Sequence, residues 1–114
     1  MRALTNDTDI IKQLVEQNDY KTIHKLAKNL DEQGIVDGTL MLSNLYHNGY
    51  GVKQSFKKEV KLLKRAVKMG SKEAEFLLAQ AKIFGKGAKQ KLAVGFEMME
   101  QLSTAGYLDA TEFL

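Results

Sequence analysis

A chain of 114 residues with 44% apolar and 27% charged side chains has enough apolar surface for one modest core, which excludes wholesale disorder. With no cysteine it can hold neither a disulfide framework nor a thiolate metal site. The net charge of +3 is unevenly spread: residues 1–50 carry net −2 and residues 51–114 net +5. No apolar stretch approaches the roughly 20 residues that span a bilayer, and the opening Met1-Arg2-Ala3-Leu4-Thr5-Asn6-Asp7 leads into no leader-like apolar run. The chain is therefore read as a soluble cytoplasmic protein. It has no proline, so nothing in it forces a helix to break.

The first expected helix covers 7–17, with Ile10, Ile11, Leu14 and Val15 on one side and Asn6 or Asp7 as its cap. A short link, Gln17-Asn18-Asp19, leads into a helix over 20–33 that Gly34 ends. The next, over 38–48, carries Leu42, Leu45 and Tyr46, with Met41 one step away. His47-Asn48-Gly49-Tyr50-Gly51-Val52 follows, with two glycines that can turn the chain sharply. Ser55 is placed to cap a helix over 56–69 with Phe56, Val60, Leu63 and Val67 on one face. Gly70 ends it and Ser71 can cap a helix over 72–84, which carries Ala74, Leu77, Leu78, Ala81 and Phe84. After Gly85-Lys86-Gly87 comes a helix over about 90–104, with Leu92, Val94, Phe96, Met98, Met99 and Leu102; Gly106 closes it. Met98 and Met99 are adaptable core filler. Residues 107–114 start another unit through Ala110, Phe113 and Leu114, and are expected to form a cap rather than an apolar edge left for a partner.

These elements repeat. Gly34, Gly70 and Gly106 are 36 residues apart, as are Gly49 and Gly85, Gly51 and Gly87, Ala74 and Ala110, and Leu42, Leu78 and Leu114. Lys53 and Gln54 recur as Lys89 and Gln90. Hydrophobic character keeps the same offset: Leu40 with Phe76, Met41 with Leu77, Leu62 with Met98, Leu63 with Met99. A period of this length describes helix pairs that cannot bury an apolar face alone and must stack. The expected organisation is one repeat domain over 1–114: an atypical N-terminal pair (6–35), two full repeats (36–71 and 72–107) and a partial one (108–114).

The repeat resembles the Sel-1-like, tetratricopeptide-related family. That pattern runs Ala, Leu-Gly, Tyr, Gly-x-Gly-Val, Asp, an Ala-rich helix and Gly-x-x-x-Ala. The first unit matches at Leu42, Tyr46, Gly49, Gly51, Val52, Ala66, Gly70 and Ala74, and departs at Gly38, Ser43 and Ser55. The second matches at Ala74, Leu78, Ala79, Gly85, Gly87, Gly106 and Ala110, and departs at Lys82, Ala88 and Lys91. The resemblance implies an all-α fold, a right-handed α-solenoid of antiparallel pairs with about six helices and a short C-terminal capping helix. Relatives in that family act as scaffolds, adaptors or immunity partners of toxic effectors. A protein-binding module in a bacterial type of this family is what the resemblance implies, as a monomer or weak homo-oligomer.

The same resemblance puts the first helix of each pair on a concave face. It nominates Asp37, Leu40, Asn44, His47 and Asn48, then Glu73, Phe76, Gln80, Ile83 and Phe84, as the groove that binds another protein. Phe76 and Ile83 stand out as apolar residues in a binding groove, with packing against the neighbouring pair as the alternative. A basic run offers a second surface: Lys53, Lys57, Lys58, Lys61, Lys64, Arg65, Lys68 and Lys72, with only Glu59 against them. It could meet nucleic acid or another anionic surface. It lacks the stacking aromatics that nucleic-acid binding usually adds, so it reads first as a solvated convex face. His24 and His47 have no ligand-like or nucleophilic neighbours, and the Gly-x-Gly turns lack the rest of a nucleotide signature. No cofactor, metal site or catalytic group is expected.

Overall fold

Leucine- and lysine-rich segments, free of proline and punctuated at a fixed interval by glycine, give helices of one size. The computed structural model describes residues 7–114. Its helices are α1 (Asp7–Glu16), α2 (Tyr20–Glu32), α3 (Val36–Asn48), α4 (Phe56–Lys68), α5 (Lys72–Phe84), α6 (Leu92–Thr104) and α7 (Leu108–Phe113), with no strand among the described residues. Each of α2 to α6 is 13 residues long. Each helix packs chiefly on its neighbours in the chain, so the molecule is elongated, 52 × 30 × 24 Å.

The caps show why the elements stop where they do. Ser55 Oγ accepts from the Lys58 amide at 3.1 Å and Ser71 Oγ from the Ala74 amide at 3.0 Å, as their positions suggest. Asp19 does the same for α2, accepting from the Thr22 amide at 3.2 Å and the Thr22 hydroxyl at 2.8 Å. Of the two caps expected for α1, Asn6 lies outside the described residues and Asp7 is the first residue of the helix itself. α6 begins at Leu92 rather than at 90 because Gln90 is otherwise engaged: its side-chain amide donates to the Ile83 carbonyl at 2.9 Å, tying off the end of α5. Gln54 donates to the His47 carbonyl at 2.8 Å in the unit before. The recurrence of this glutamine thus has a structural reason: it satisfies a carbonyl that the helix end leaves free.

The Gly-x-Gly turns do two jobs. Gly49 and Gly85 end α3 and α5 in the left-handed conformation, with φ of 72° and 70°. Two residues on, Gly51 and Gly87 let the turn lie directly against the preceding unit. A Cβ on Gly51 would stand 2.9 Å from that of Tyr20, the first residue of α2. A Cβ on Gly87 would stand 2.2 Å from the carbonyl oxygen of Phe56, the first residue of α4. Both contacts occupy the same place in the repeat.

The core is a string of clusters that follows the stack. Ile23, Ala27, Leu42, Leu45 and Leu62 join α2, α3 and α4. Leu63, Ala66 and Ala74 join α4 to α5, as do Val60, Leu78 and Ala81. Ala79, Ile83, Met99, Leu102 and Ala110 join α5, α6 and α7. One polar network runs through it: Asp31 on α2 accepts from the Thr39 hydroxyl of α3 and pairs with the Arg65 guanidinium of α4. Thr39 is fully buried and Asp31 nearly so, so the charge and the hydroxyl satisfy each other.

The two kinds of glycine separate in a stability measurement. Gly70, at φ 92° with nothing within 4 Å of an added Cβ, pays only the left-handed penalty on change to alanine, about 1–2 kcal/mol. Gly87→Ala adds a backbone clash to the same penalty, and is expected to cost about 3 kcal/mol or more. Urea unfolding of the two variants checks the order; equal losses would mean that the turn does not depend on close approach to Phe56.

Candidate functional site

The first helices of the pairs, α1, α3 and α5, carry between them a trough made of three adjoining hollows. The largest, about 490 Å³, is lined by Ile11 and Val15 of α1, Tyr20 and Ile23 of α2, Asp37, Leu40, Met41, Asn44 and Leu45 of α3, Tyr50, and Glu73 of α5. It shares Leu40, Asn44 and Glu73 with a hollow of about 170 Å³. That one shares His47, Glu59 and Leu77 with a third of about 200 Å³, which ends at Gln80, Phe84 and Lys86. Of the residues nominated from sequence, the structure sets Asp37, Leu40, Asn44, His47, Glu73, Gln80 and Phe84 along this trough. Asn48 is exposed and its side-chain amide bonds back to the Asn44 carbonyl at 3.0 Å.

Two nominated residues lie elsewhere. Ile83 is core, at 5% exposure, and packs against α6 and α7 residues Met99, Leu102 and Ala110. Phe76 is half-buried against the C-terminal helix: its ring centroid is 5.6 Å from that of Tyr107 and 6.2 Å from that of Phe113. The reason for Ile83 is a substitution at one repeat position. In the earlier unit the equivalent residue is His47, whose Nδ1 lies 3.0 Å from the Glu59 carboxylate. Glu59 is replaced 36 residues later by Gly95, and a Cβ there would stand 2.5 Å from Ile83 Cγ1. A hydrogen-bonded pair that stays open to the trough has become an apolar side chain seated on a bare helix backbone. Ile11, Val15, Tyr20 and Tyr50 line the trough without having been nominated. They belong to the atypical first pair and to a turn, whereas the nomination took only the first helices of the two full repeats. The stacked rings of Tyr20 and Tyr50, 4.7 Å apart, form one end of the hollow.

An acidic residue recurs at one repeat position, in the first turns of α3, α5 and α7: Asp37, Glu73 and Asp109. Such a residue steadies a helix N-terminus. Its wider effect shows at Tyr107, whose phenol is pushed above its ordinary value by burial first, then by Asp109 and Glu73. His47 also meets the Phe56 ring edge-on at 5.4 Å, and His24 meets Tyr46 at 6.3 Å. No group of three or more His, Asp or Glu placed to hold a metal occurs among the described residues.

The basic run divides. Arg65 is held by Asp31, and Lys58 lies over the Tyr46 ring at 5.3 Å. Lys57, Lys61, Lys64 and Lys68 are exposed, and their spacing sets them along one face of α4. Further along the stack, α7 packs on α6 and buries Ala110. It leaves Leu114 55% exposed, whereas its repeat equivalents Leu42 and Leu78 are at 5% and 6%.

No model of a known family matches the sequence, and no curated protein matches it. Solved structures do match in shape. Cysteine-rich protein B of Helicobacter pylori superposes with a TM-score of 0.72 at 20% identity, covering 82% of this chain and 71% of that one. A Sel1 repeat protein from Oxalobacter formigenes superposes with a TM-score of 0.62 at 18% identity, covering 96% of this chain and 98% of that one. The fold is the Sel1-like repeat solenoid. This chain has no cysteine, so no disulfide joins its helices. No described helix is long and apolar enough to cross a membrane.

The reassignment of Ile83 has a measurable consequence. Ile83→Ala is expected to lower stability by about 2–4 kcal/mol, as a cavity forms beside Met99. Gln80→Ala, on the trough wall, is expected to change it by less than about 0.5 kcal/mol. Similar losses from both would return Ile83 to the surface. Tyr107 provides a second check. Its raised folded pKa favours the neutral phenol, so that contribution to stability is present below the ordinary tyrosine range and is lost as pH rises through the folded value. Ring-carbon NMR should show Tyr107 ionising above the ordinary value, with Glu73→Gln bringing it part of the way down. An unchanged titration in that variant would separate Glu73 from the Tyr107 phenol.

Proposed function

We propose that the chain is a protein-binding module that receives a segment of its partner in the trough along α1, α3 and α5. The observation that carries this reading is the trough itself. It is continuous over three first helices, its larger end is chiefly apolar, and no described element covers it. Exposed apolar surface with a polar margin, set on a rigid helical frame, is the usual make-up of a partner site. Scaffold, adaptor or immunity partner of one effector are roles that such a site could serve, and the resemblance to Sel-1-like proteins supports that range. The four lysines of α4 lie outside the trough lining and would guide a partner whose acidic surface lies apart from the segment it inserts.

Peptides selected from a phage-displayed random library against the native chain test the reading. Bound peptides should move the backbone amide signals of Leu40, Asn44 and Glu73. Asn44→Trp places a bulky ring in the middle of the trough at an exposed position, and should weaken binding at least tenfold while leaving the circular dichroism of the helices unchanged. Peptides that shift only the α4 amides, together with a gel shift of nucleic acid that salt abolishes, would favour the anionic-surface reading instead.

A further inference from the structure

We infer that the segment the trough receives is cationic as well as apolar: aliphatic or aromatic anchors with a lysine or arginine beside them. This deepens the groove reading above and rests on it. The large hollow has the volume of a site that buries ligand side chains. Its wall is apolar through Ile11, Val15, Leu40 and Tyr50, of which Val15 and Tyr50 are exposed. Its polar lining is Asp37, Asn44 and Glu73.

The two carboxylates differ from the other acids of the region. Glu59 is taken by His47 and Glu75 by Lys72, the latter at 3.8 Å. Asp37 and Glu73 are exposed and have no ion-pair partner among the described residues. Among the described residues the one cation on the trough, Lys86, stands at its far end over the Phe56 ring at 5.7 Å. The lysines that make the chain net positive are carried instead on α4. The trough thus has the opposite sign to the chain that carries it. An anionic segment entering the large hollow would bring like charges together as water leaves, whereas an ammonium or guanidinium beside the apolar anchors gains two carboxylates. On a second copy of this chain the exposed lysines of α4 follow one another along a face with no apolar anchor between them, whereas Lys89 and Lys91 lie beside exposed Leu92 and Phe96; sedimentation tells such self-association from a partner.

The double variant Asp37→Asn/Glu73→Gln keeps the shape of the trough and removes both charges. Short random peptides displayed on phage are panned at low salt against the native chain and against this variant. The native pool should be enriched in Lys or Arg next to Leu, Phe or Tyr, and the variant pool should not. A selected peptide remade with its lysine as glutamine should lose about three- to tenfold in affinity for the native chain and nothing for the variant, the range expected of partly exposed ion pairs. Trough-binding peptides that are neutral or acidic, or that bind the variant as tightly, overturn the charge assignment and leave the groove reading intact. Recovery of no peptide, or of peptides that bind only away from Leu40 and Asn44, overturns both. A concentration-dependent dimer in sedimentation that the double variant abolishes would make the occupant a second copy and overturn the assignment to a partner.

Discussion

The structure depends on how closely one helix pair can approach the next. At Gly87 the turn between α5 and α6 lies so near the Phe56 carbonyl that no side chain fits between them, and Gly51 meets Tyr20 in the same way. This contact seats each turn on the N-terminus of the second helix before it. With the turn seated, Val60 reaches Ala88, and Leu78 and Ala81 close over Val60. Because no single pair can enclose its own apolar face, part of the burial of each unit is gained at this junction, where Val60 meets Leu78 and Ala81. The spacing of the first helices, and hence the trough, follows from it.

On this frame, function would reside in departures from the repeat. The pair His47–Glu59 becomes Ile83 on Gly95 one period later. The first keeps polar groups at the trough; the second removes a side chain from it and tightens α5 on α6. The same asymmetry divides the molecule along its length, with an open, chiefly apolar hollow near α1 and an aromatic cluster of Phe76, Phe84, Phe96, Tyr107 and Phe113 around α7. Charge divides it as well. Asp37 and Glu73 stand on the trough side, while Lys57, Lys61, Lys64 and Lys68 follow one face of α4. The like charges are thereby kept apart along the fold rather than mixed.

Much of this was legible in the amino-acid sequence by itself. Glycine spacing marks the helix ends from α2 to α6, because a left-handed residue or a very close backbone approach leaves few alternatives to glycine. Ser55 and Ser71 announce their caps, since a short hydroxyl before an apolar period has few better uses. The 36-residue offset determines that helix pairs stack; that Asp37, Leu40, Asn44, Glu73 and Gln80 share a face is implied by the resemblance to Sel-1-like repeats and not by the offset. What only the tertiary structure decided is which side of a helix each borderline residue faces. Successive residues turn by about 100°, so Ile83 and Phe84 sit on different faces, and only the gap left by Gly95 on another helix determines that Ile83 goes inward. Likewise Arg65 reads as one of a row of free cations until α2 brings Asp31 against it, and Tyr20 and Tyr50 read as unrelated until the turn stacks their rings. Local periodicity encodes the helices and their stacking; the partner of each side chain is set by residues far away in the chain, which periodicity does not record.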